Sequence, residues 1–99
     1  MRCMDDCHHY ELDTFLGEYR PILNFYKMDK ELSVDGVTNE ELIKVLIHRI
    51  DFLNNKWYNG KFRCRENSLA ITKLEEALMW LEKRTLDRID RGVEGQLKP

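Results

Sequence analysis

The stretch from residue 64 to residue 90 contains neither glycine nor proline, and it constrains the fold more than any other feature of the chain. Residues 68–84 are rich in strong helix formers. One helix face is predicted by residues that recur every three or four positions: Ile71, Leu74, Leu78, Leu81 and Thr85. Ala70, Ala77 and Trp80 form a second stripe beside it, and Gly92 lies just past the predicted end. We therefore expect one long helix over about residues 64–90.

A second helix is predicted upstream by a capping box, in which Thr38 is the N-cap residue and Glu41 occupies the third helical position. An apolar stripe of helical spacing follows it: Leu42, Val45, Leu46, Ile50, Leu53 and Trp57. Asn59 and Gly60 are expected to end this helix, because Gly60 can adopt the left-handed conformation. The predicted helix covers residues 38–58.

Two helices joined by a short loop form an antiparallel hairpin. At 1.5 Å per residue the longer helix should extend roughly 10 Å beyond the shorter one. A lone hairpin of this size buries little apolar surface. We therefore predict an all-α chain: a long antiparallel helical hairpin with a short N-terminal helical or extended segment, assembling as a homo-oligomer. Its expected parts are an N-terminal tail and short apolar segment (1–37), the hairpin domain (38–92) and a flexible tail (93–99).

The N-terminal third gives weaker signals. Residues 1–12 are interpreted as a polar tail, and Asp13 could cap a short helix that begins at Thr14. The apolar residues 21–28 fit either a short helix or an extended strap, and the sequence leaves this choice open. Residues 29–37 have the composition of a loop.

Bulk properties exclude several classes of protein. The net charge of −2 gives no general attraction to DNA, RNA or an anionic membrane. No apolar run is long enough to span a bilayer, and the polar N-terminus does not resemble a secretory signal, so we expect a cytoplasmic protein. Cys3, Cys7 and Cys64 are expected to be free thiols, and their spacing predicts neither a metal site nor a cofactor.

Positive charge is concentrated where the second long helix begins. Residues 60–73 have a net charge of +3, because they contain four basic residues, Lys61, Arg63, Arg65 and Lys73, and one acid, Glu66. A helix N-terminus attracts anions, so cations at this position suggest a phosphate ligand. The alternative is an ordinary solvated loop.

Arg49 shares a helix face with apolar residues, so it is either a rim arginine or an anion ligand in a subunit interface. The aromatic side chains near the loop and the strap are expected to be mostly core, with one or two able to stack on a nucleobase. These are Phe25, Tyr26, Trp57, Tyr58, Phe62 and Trp80. The sequence holds no phosphate-binding glycine loop, nucleophile elbow or zinc-protease helix, so we do not expect an enzyme.

The run from Cys64 to Trp80 resembles the signature helix of a family of small phage proteins. These are the hairpin-domain proteins that oppose cyclic-oligonucleotide immunity (anti-CBASS) and the related Thoeris anti-defence proteins. Residues 91–95 also resemble the tail of phage members, so the resemblance covers about residues 36–95.

The resemblance implies non-enzymatic sequestration of cyclic di- or trinucleotides, or of cyclic ADP-ribose isomers, by an oligomeric ring that is usually a hexamer. Arg65 matches an arginine that contacts trinucleotide phosphates in the family, and Thr72 and Lys73 match the same helix. The family's dinucleotide pocket uses an aromatic residue before the first long helix and a basic residue along it. Tyr26 and Arg49 are assigned to these roles from their chemistry and not from alignment, and Arg63 belongs to the basic patch.

The strand-rich N-terminal extension of Thoeris-opposing members is not evident in the sequence, which favours the anti-CBASS interpretation. The main alternative is an oligomeric helical adaptor that binds a protein partner through its apolar helix face. A small nucleic-acid-binding regulator is a third hypothesis, against which the low basicity counts. A hydrolase is a fourth.

Overall fold

The computed structural model describes residues 1–4, 7–28 and 32–94. These ranges divide into two compact units, residues 1–38 and residues 39–94. Among the described residues, no helix is both long and apolar enough to cross a membrane.

The first unit is built around a three-stranded antiparallel sheet of strands β1 (Arg2–Met4), β2 (His9–Glu11) and β3 (Ile22–Asn24), in that order. Cys3 pairs with Tyr10, and Tyr10 pairs with Leu23. The prediction of an all-α chain is therefore wrong, and the fold class is α+β. Residues 1–12, predicted to be a polar tail, supply two of the three strands.

Side chains of opposite charge bind the strands of the sheet together. Glu11 on β2 accepts hydrogen bonds from Arg2 on β1 and from Arg20, whose guanidinium lies 3.1 Å away. The Tyr10 and Phe25 rings meet edge to face at 5.7 Å. The helix predicted from Thr14 does not form, because the Thr14 carbonyl accepts a turn hydrogen bond from the Gly17 N–H and its hydroxyl donates to the Tyr19 carbonyl.

The apolar segment 21–28 is extended, which decides the choice that the sequence left open. The Phe25 N–H donates to the His8 carbonyl, and the Tyr26 N–H donates to the Val37 carbonyl. Gly36 lies so close to the backbone of residues 25–26 that a side chain at this position would collide with it. The glycine is therefore required by the close approach of two backbone segments.

The second unit is a helical hairpin. Helix α1 (Asn39–Asp51) continues into a π-helical turn (Phe52–Lys56) and a 3₁₀ turn (Trp57–Gly60), and helix α2 (Arg65–Asp90) follows. The helix predicted over 64–90 is confirmed. The helix predicted over 38–58 is α-helical only for residues 39–51, and its last residues form the π-helical and 3₁₀ turns. Gly60 has the expected positive φ of 78°.

The two helices pack along each other through half-buried aliphatic residues. The stripe predicted on α2 is half-buried along its whole length. On α1 the residues Ile43, Ile47 and Ile50 are half-buried, whereas Val45 and Leu46 are exposed. No hydrophobic side chain of the described residues is fully buried within the chain. The hairpin therefore leaves much of its apolar surface uncovered.

A buried amide joins the two helices at the loop. Asn54 lies in the π-helical turn and is 2 % exposed. Its Oδ1 accepts a 2.8 Å hydrogen bond from the Cys64 N–H, and its Nδ2 donates to the Ser68 hydroxyl at 3.1 Å. Cys64 is the N-cap residue of α2, and its own side chain forms no capping bond. Asn54 therefore holds the N-terminal end of α2 from a distance of ten residues in sequence.

The other end of α2 is closed by a glycine cap and a buried arginine. Gly92 has a φ of 71°, and the Val93 N–H donates to the Arg88 carbonyl while the Gly92 N–H donates to the Ile89 carbonyl. This pair of bonds defines a Schellman motif. The Arg88 guanidinium is buried and donates to the Val93 carbonyl and the Glu94 carboxylate. Val93 and Glu94 are therefore held against the last turn of the helix, and the rest of the predicted flexible tail, residues 95–99, lies outside the described residues.

Replacing Asn54 tests whether the buried amide holds the hairpin. Asn54→Leu should lower the free energy of unfolding by about 1–3 kcal/mol, because the Cys64 N–H and the Ser68 hydroxyl lose their buried partner. The melting temperature should then fall by about 4–8 °C per kcal/mol.

Asn55→Leu is the matched control, since Asn55 is exposed and its amide bonds only the Asp51 carboxylate. That variant should change stability by no more than about 0.5 kcal/mol. Equal melting temperatures for the two variants, measured by circular dichroism, would contradict the role of Asn54.

Candidate ligand-binding surfaces

Arg65 is the first residue of α2, and its side chain is exposed. It forms no ion pair with any other residue that the structure describes. The first turn of a helix presents N–H groups that lack intrahelical partners and carries the positive end of the helix dipole. An unpaired guanidinium at this position suits a phosphate, which can accept two parallel hydrogen bonds from it.

Two further predicted residues lie along the same helix. Thr72 follows Arg65 by seven residues, which places both on one helix face about 10 Å apart along the axis. The Thr72 side chain is exposed, and its hydroxyl donates to the Ser68 carbonyl at 3.1 Å. Lys73 is rotated by about 80° from Arg65 around the helix, and its ammonium lies 4.0 Å from Glu76. Arg65 and Thr72 therefore share a face, whereas Lys73 lies beside it.

The face that carries Arg65 and Thr72 points away from the packed side of the hairpin. The half-buried residues of α2 follow the stripe through Ile71 and Leu74, roughly 120° or more from Arg65. Leu69 lies between Arg65 and Thr72 and is 47 % exposed. A ligand bound to this face of a single copy would therefore be contacted on one side only, and its other side would stay exposed.

Arg63 lies in the loop before α2. Its backbone N–H donates to the Gly60 carbonyl at 3.1 Å, and its guanidinium lies over Gly60. Its side chain is exposed and forms no ion pair with another described residue. Arg63 and Arg65 therefore place two unpaired cations at one end of the hairpin.

Arg49 lies on the outer side of α1, where it is exposed and has no ion-pair partner in the described ranges. It lines an open groove of about 550 Å³ together with Val45, His48 and Phe52. A second open groove of about 510 Å³ lies on α2, between Glu75 and Leu86. Both grooves are on the surface of the hairpin, so Arg49 is not enclosed by the chain itself.

Tyr26 belongs to the first unit, separate from the other predicted residues. Its side chain is 40 % exposed, and its hydroxyl lies 3.3 Å from the Ser33 hydroxyl. The other five residues, Arg49, Arg63, Arg65, Thr72 and Lys73, belong to the helical unit.

The cysteines Cys3, Cys7 and Cys64 are free thiols. A hydrogen bond with the Cys7 thiol raises the pKa of Cys3. Reduced access to water raises the pKa of Tyr10 beside them, and the terminal ammonium of Met1 lowers the pKa of Asp13. In the ranges that the structure describes, no three His, Cys, Asp or Glu side chains converge to hold a metal ion.

The aromatic side chains of the loop are exposed, although most were expected in the core. Trp57, Tyr58 and Phe62 are 42 %, 67 % and 53 % exposed, and Trp80 on α2 is 55 % exposed. Sequence periodicity missed this because aromatic residues at helical spacing are usually buried. Sequence periodicity also did not predict that Asn54 is buried. Its position four residues after Ile50, on the apolar stripe, could have indicated this.

Residues 24–86 match the family described as "Acb2/Tad1, hairpin domain". The chain is also similar to the protein named Thoeris anti-defense 1 from Bacillus phage SBSphiJ7, with 55 % identity over 65 residues. The aligned segment is 66 % of this chain and 43 % of that protein, so the chain spans less than half of its relative's length.

Proposed function

We propose, since the chain belongs to the family of Acb2/Tad1 hairpin domains, that it is a phage anti-defence protein. In this proposal it binds cyclic di- and trinucleotide second messengers of host immunity and sequesters them without cleaving them. It would act in the cytoplasm of the infected cell, where such messengers form.

The observation that carries the proposal is the unpaired Arg65 at the exposed start of α2. Cyclic oligonucleotides carry two or three phosphates, and a guanidinium at a helix N-terminus is well suited to bind each of them. Arg63 adds a second unpaired cation nearby, and Thr72 presents a hydroxyl on the face of Arg65. These groups can bind and orient a polyanion.

A single Arg65 cannot surround a ligand that has several phosphates. Rotational symmetry would bring copies of Arg65 together, so that one arginine per chain becomes a multivalent clamp. The exposed apolar residues on both helices support such assembly, because a single copy leaves them uncovered. The family resemblance favours six copies.

Arg49 belongs to a second proposed site, which would hold dinucleotides, whereas the role of Tyr26 in the first unit stays a prediction from the sequence. The groove beside Arg49 combines a cation with the apolar surface of Val45 and Phe52, and it is open on one side. A neighbouring copy could close it. Lys73 is proposed as a further cation on α2 at the edge of the trinucleotide site.

The range of candidate ligands is wider than the sequence suggested. The preference for cyclic oligonucleotides over cyclic ADP-ribose isomers depended on the absence of N-terminal strands. The described part of the N-terminal unit contains three strands, and the similar phage protein is named for Thoeris anti-defence. Cyclic ADP-ribose isomers, which also carry phosphates and a purine, therefore belong in the same ligand panel.

A second candidate function is that of an oligomeric helical adaptor. The exposed Val45, Leu46 and Met79 favour it, since apolar helix faces commonly bind protein partners. This function requires no affinity for nucleotides, which distinguishes it from sequestration.

Isothermal titration with cyclic di- and trinucleotides and cyclic ADP-ribose isomers tests the proposed function. Arg65→Ala should weaken trinucleotide binding by about 30-fold or more, because each lost charge-assisted contact costs about 2 kcal/mol. Arg84→Ala is the control, since Arg84 is also exposed on α2 but lies about 28 Å along the helix. Trinucleotide affinity that is unchanged in Arg65→Ala would contradict the site, and no heat with any ligand would contradict the function.

Light scattering after size exclusion tests the assembly. The wild-type protein should have a mass several times that of the 11.9 kDa chain. Val45→Glu should lower this mass, because it places a charge on the uncovered apolar face of α1. Val45→Thr has a similar shape without charge and should retain the wild-type mass. A monomeric wild-type protein would contradict the multivalent clamp.

A further inference from the structure

The end of the hairpin, residues 56–65, carries three exposed aromatic side chains that the packing of the helices does not use. We call this segment the hairpin tip. Trp57, Tyr58 and Phe62 each expose more than two fifths of their surface. Large rings that are exposed together mark a binding surface more often than scattered apolar residues do.

The rings of the tip hold one another at fixed angles. Trp57 and Tyr58 meet edge to face with centroids 5.0 Å apart, and Tyr58 meets Phe62 in the same way at 5.8 Å. Trp57 also contacts Phe52, which is half-buried in the π-helical turn, at 5.6 Å. The exposed rings are therefore anchored to the hairpin and ordered before any ligand arrives.

The backbone of the tip is strained in a way that orders these rings. Tyr58 has φ 47° and ψ 46°, Asn59 has φ 55° and ψ 34°, and Gly60 has φ 78°. Asparagine and glycine tolerate this left-handed region, whereas a tyrosine there is an outlier. Backbone strain of this kind is concentrated at ligand-binding sites. π-Helical turns, such as the one at Phe52–Lys56, are also frequent at functional sites. The conformation of Tyr58 costs stability, which a binding role would explain.

Four cations flank the rings of the tip along the chain. Lys56, Lys61, Arg63 and Arg65 are exposed and form no ion pairs with other described residues, and Lys61 lies 5.8 Å from the centre of the Phe62 ring. Glu66 is the only acid between residues 56 and 73. Unpaired lysines are uncommon at the centre of a protein interface. Aromatic rings among cations fit a ligand that is both planar and anionic.

We infer that Tyr58, together with Trp57 and Phe62, stacks on the bases of the cyclic oligonucleotide whose phosphates Arg65 binds. This inference rests on the proposed function and adds a determinant of specificity to it. Phe62 and Arg65 are three residues apart and thus at most about 11 Å apart along the chain, so one nucleotide can reach both. Purines have the larger stacking surface, so the tip selects ligands that contain purines.

The test compares cyclic tri-adenylate with cyclic tri-uridylate by isothermal titration. Tyr58→Asn removes the ring but suits the left-handed backbone, and Tyr58→Phe retains the ring as the matched control. Tyr58→Asn should weaken cyclic tri-adenylate binding by roughly 5- to 150-fold, which is the range for loss of one stacked base. Its affinity for cyclic tri-uridylate should fall less, and its melting temperature should stay the same or rise because strain is relieved.

The outcomes separate this inference from the proposed function. If wild-type protein and Tyr58→Asn bind cyclic tri-adenylate equally while Arg65→Ala loses binding, the stacking inference is wrong and the phosphate site stands. If wild-type protein binds neither cyclic trinucleotide but does bind a cyclic dinucleotide, the stacking inference is wrong and sequestration stands. If it binds no ligand of the panel, both are wrong. Tight binding of a linear oligo-adenylate RNA that Tyr58→Asn abolishes would also overturn the inference, because the tip would then recognise single-stranded RNA.

Discussion

The buried side-chain amide of Asn54 determines where one helix ends and the next begins. The π-helical turn sets the position of Asn54, and it is closed by the hydrogen bond from the Trp57 N–H to the Phe52 carbonyl. If the α-helix continued instead, the Asn54 side chain would point in a different direction. From the π-helical turn, Asn54 binds the N-cap residue Cys64. This contact fixes the start of α2 and thereby the position of Arg65, and it joins the two ends of the loop that contains the rings of the hairpin tip.

The candidate ligand-binding residues of the hairpin lie outside its packed side. Arg65 and Thr72 lie on the outer face of α2, and Arg49 lines an open groove on α1. The chain also lacks fully buried hydrophobic side chains in its described part. Both facts support the proposal that the hairpin is half of an interface between copies of the chain. If neighbouring copies complete the binding sites, ligand binding stabilises the assembly, and assembly in turn strengthens ligand binding.

The helices could be predicted from the sequence because their pattern is long and repetitive. A stripe from Ile71 to Thr85 repeats often enough to define a face, and Gly60 and Gly92 mark helix ends by their tolerance of positive φ. The sheet could not be predicted in this way. Its strands have three residues each, too few to show alternation, and β2 pairs with β3 across a gap of ten residues.

The candidate site was only partly predictable. A cluster of cations at a predicted helix start identified Arg63 and Arg65, and the family resemblance singled out Arg65. The exposure of Trp57, Tyr58 and Phe62 could not be predicted. It accompanies three consecutive left-handed residues, and the first of them, Tyr58, has no sequence signal for that conformation. The placement of Tyr26 and Arg49 in separate units likewise depends on tertiary structure.

The proposed sequestration requires that the protein retain a signalling nucleotide without changing it. Its most direct test is to mix the protein in excess with a cyclic trinucleotide, remove the free ligand by filtration, denature the protein and analyse the released nucleotide by chromatography and mass spectrometry. The ligand should be retained with the protein and released with its original mass and cyclic form. A linear or hydrolysed product, or a ligand that passes entirely through the filter, would contradict sequestration.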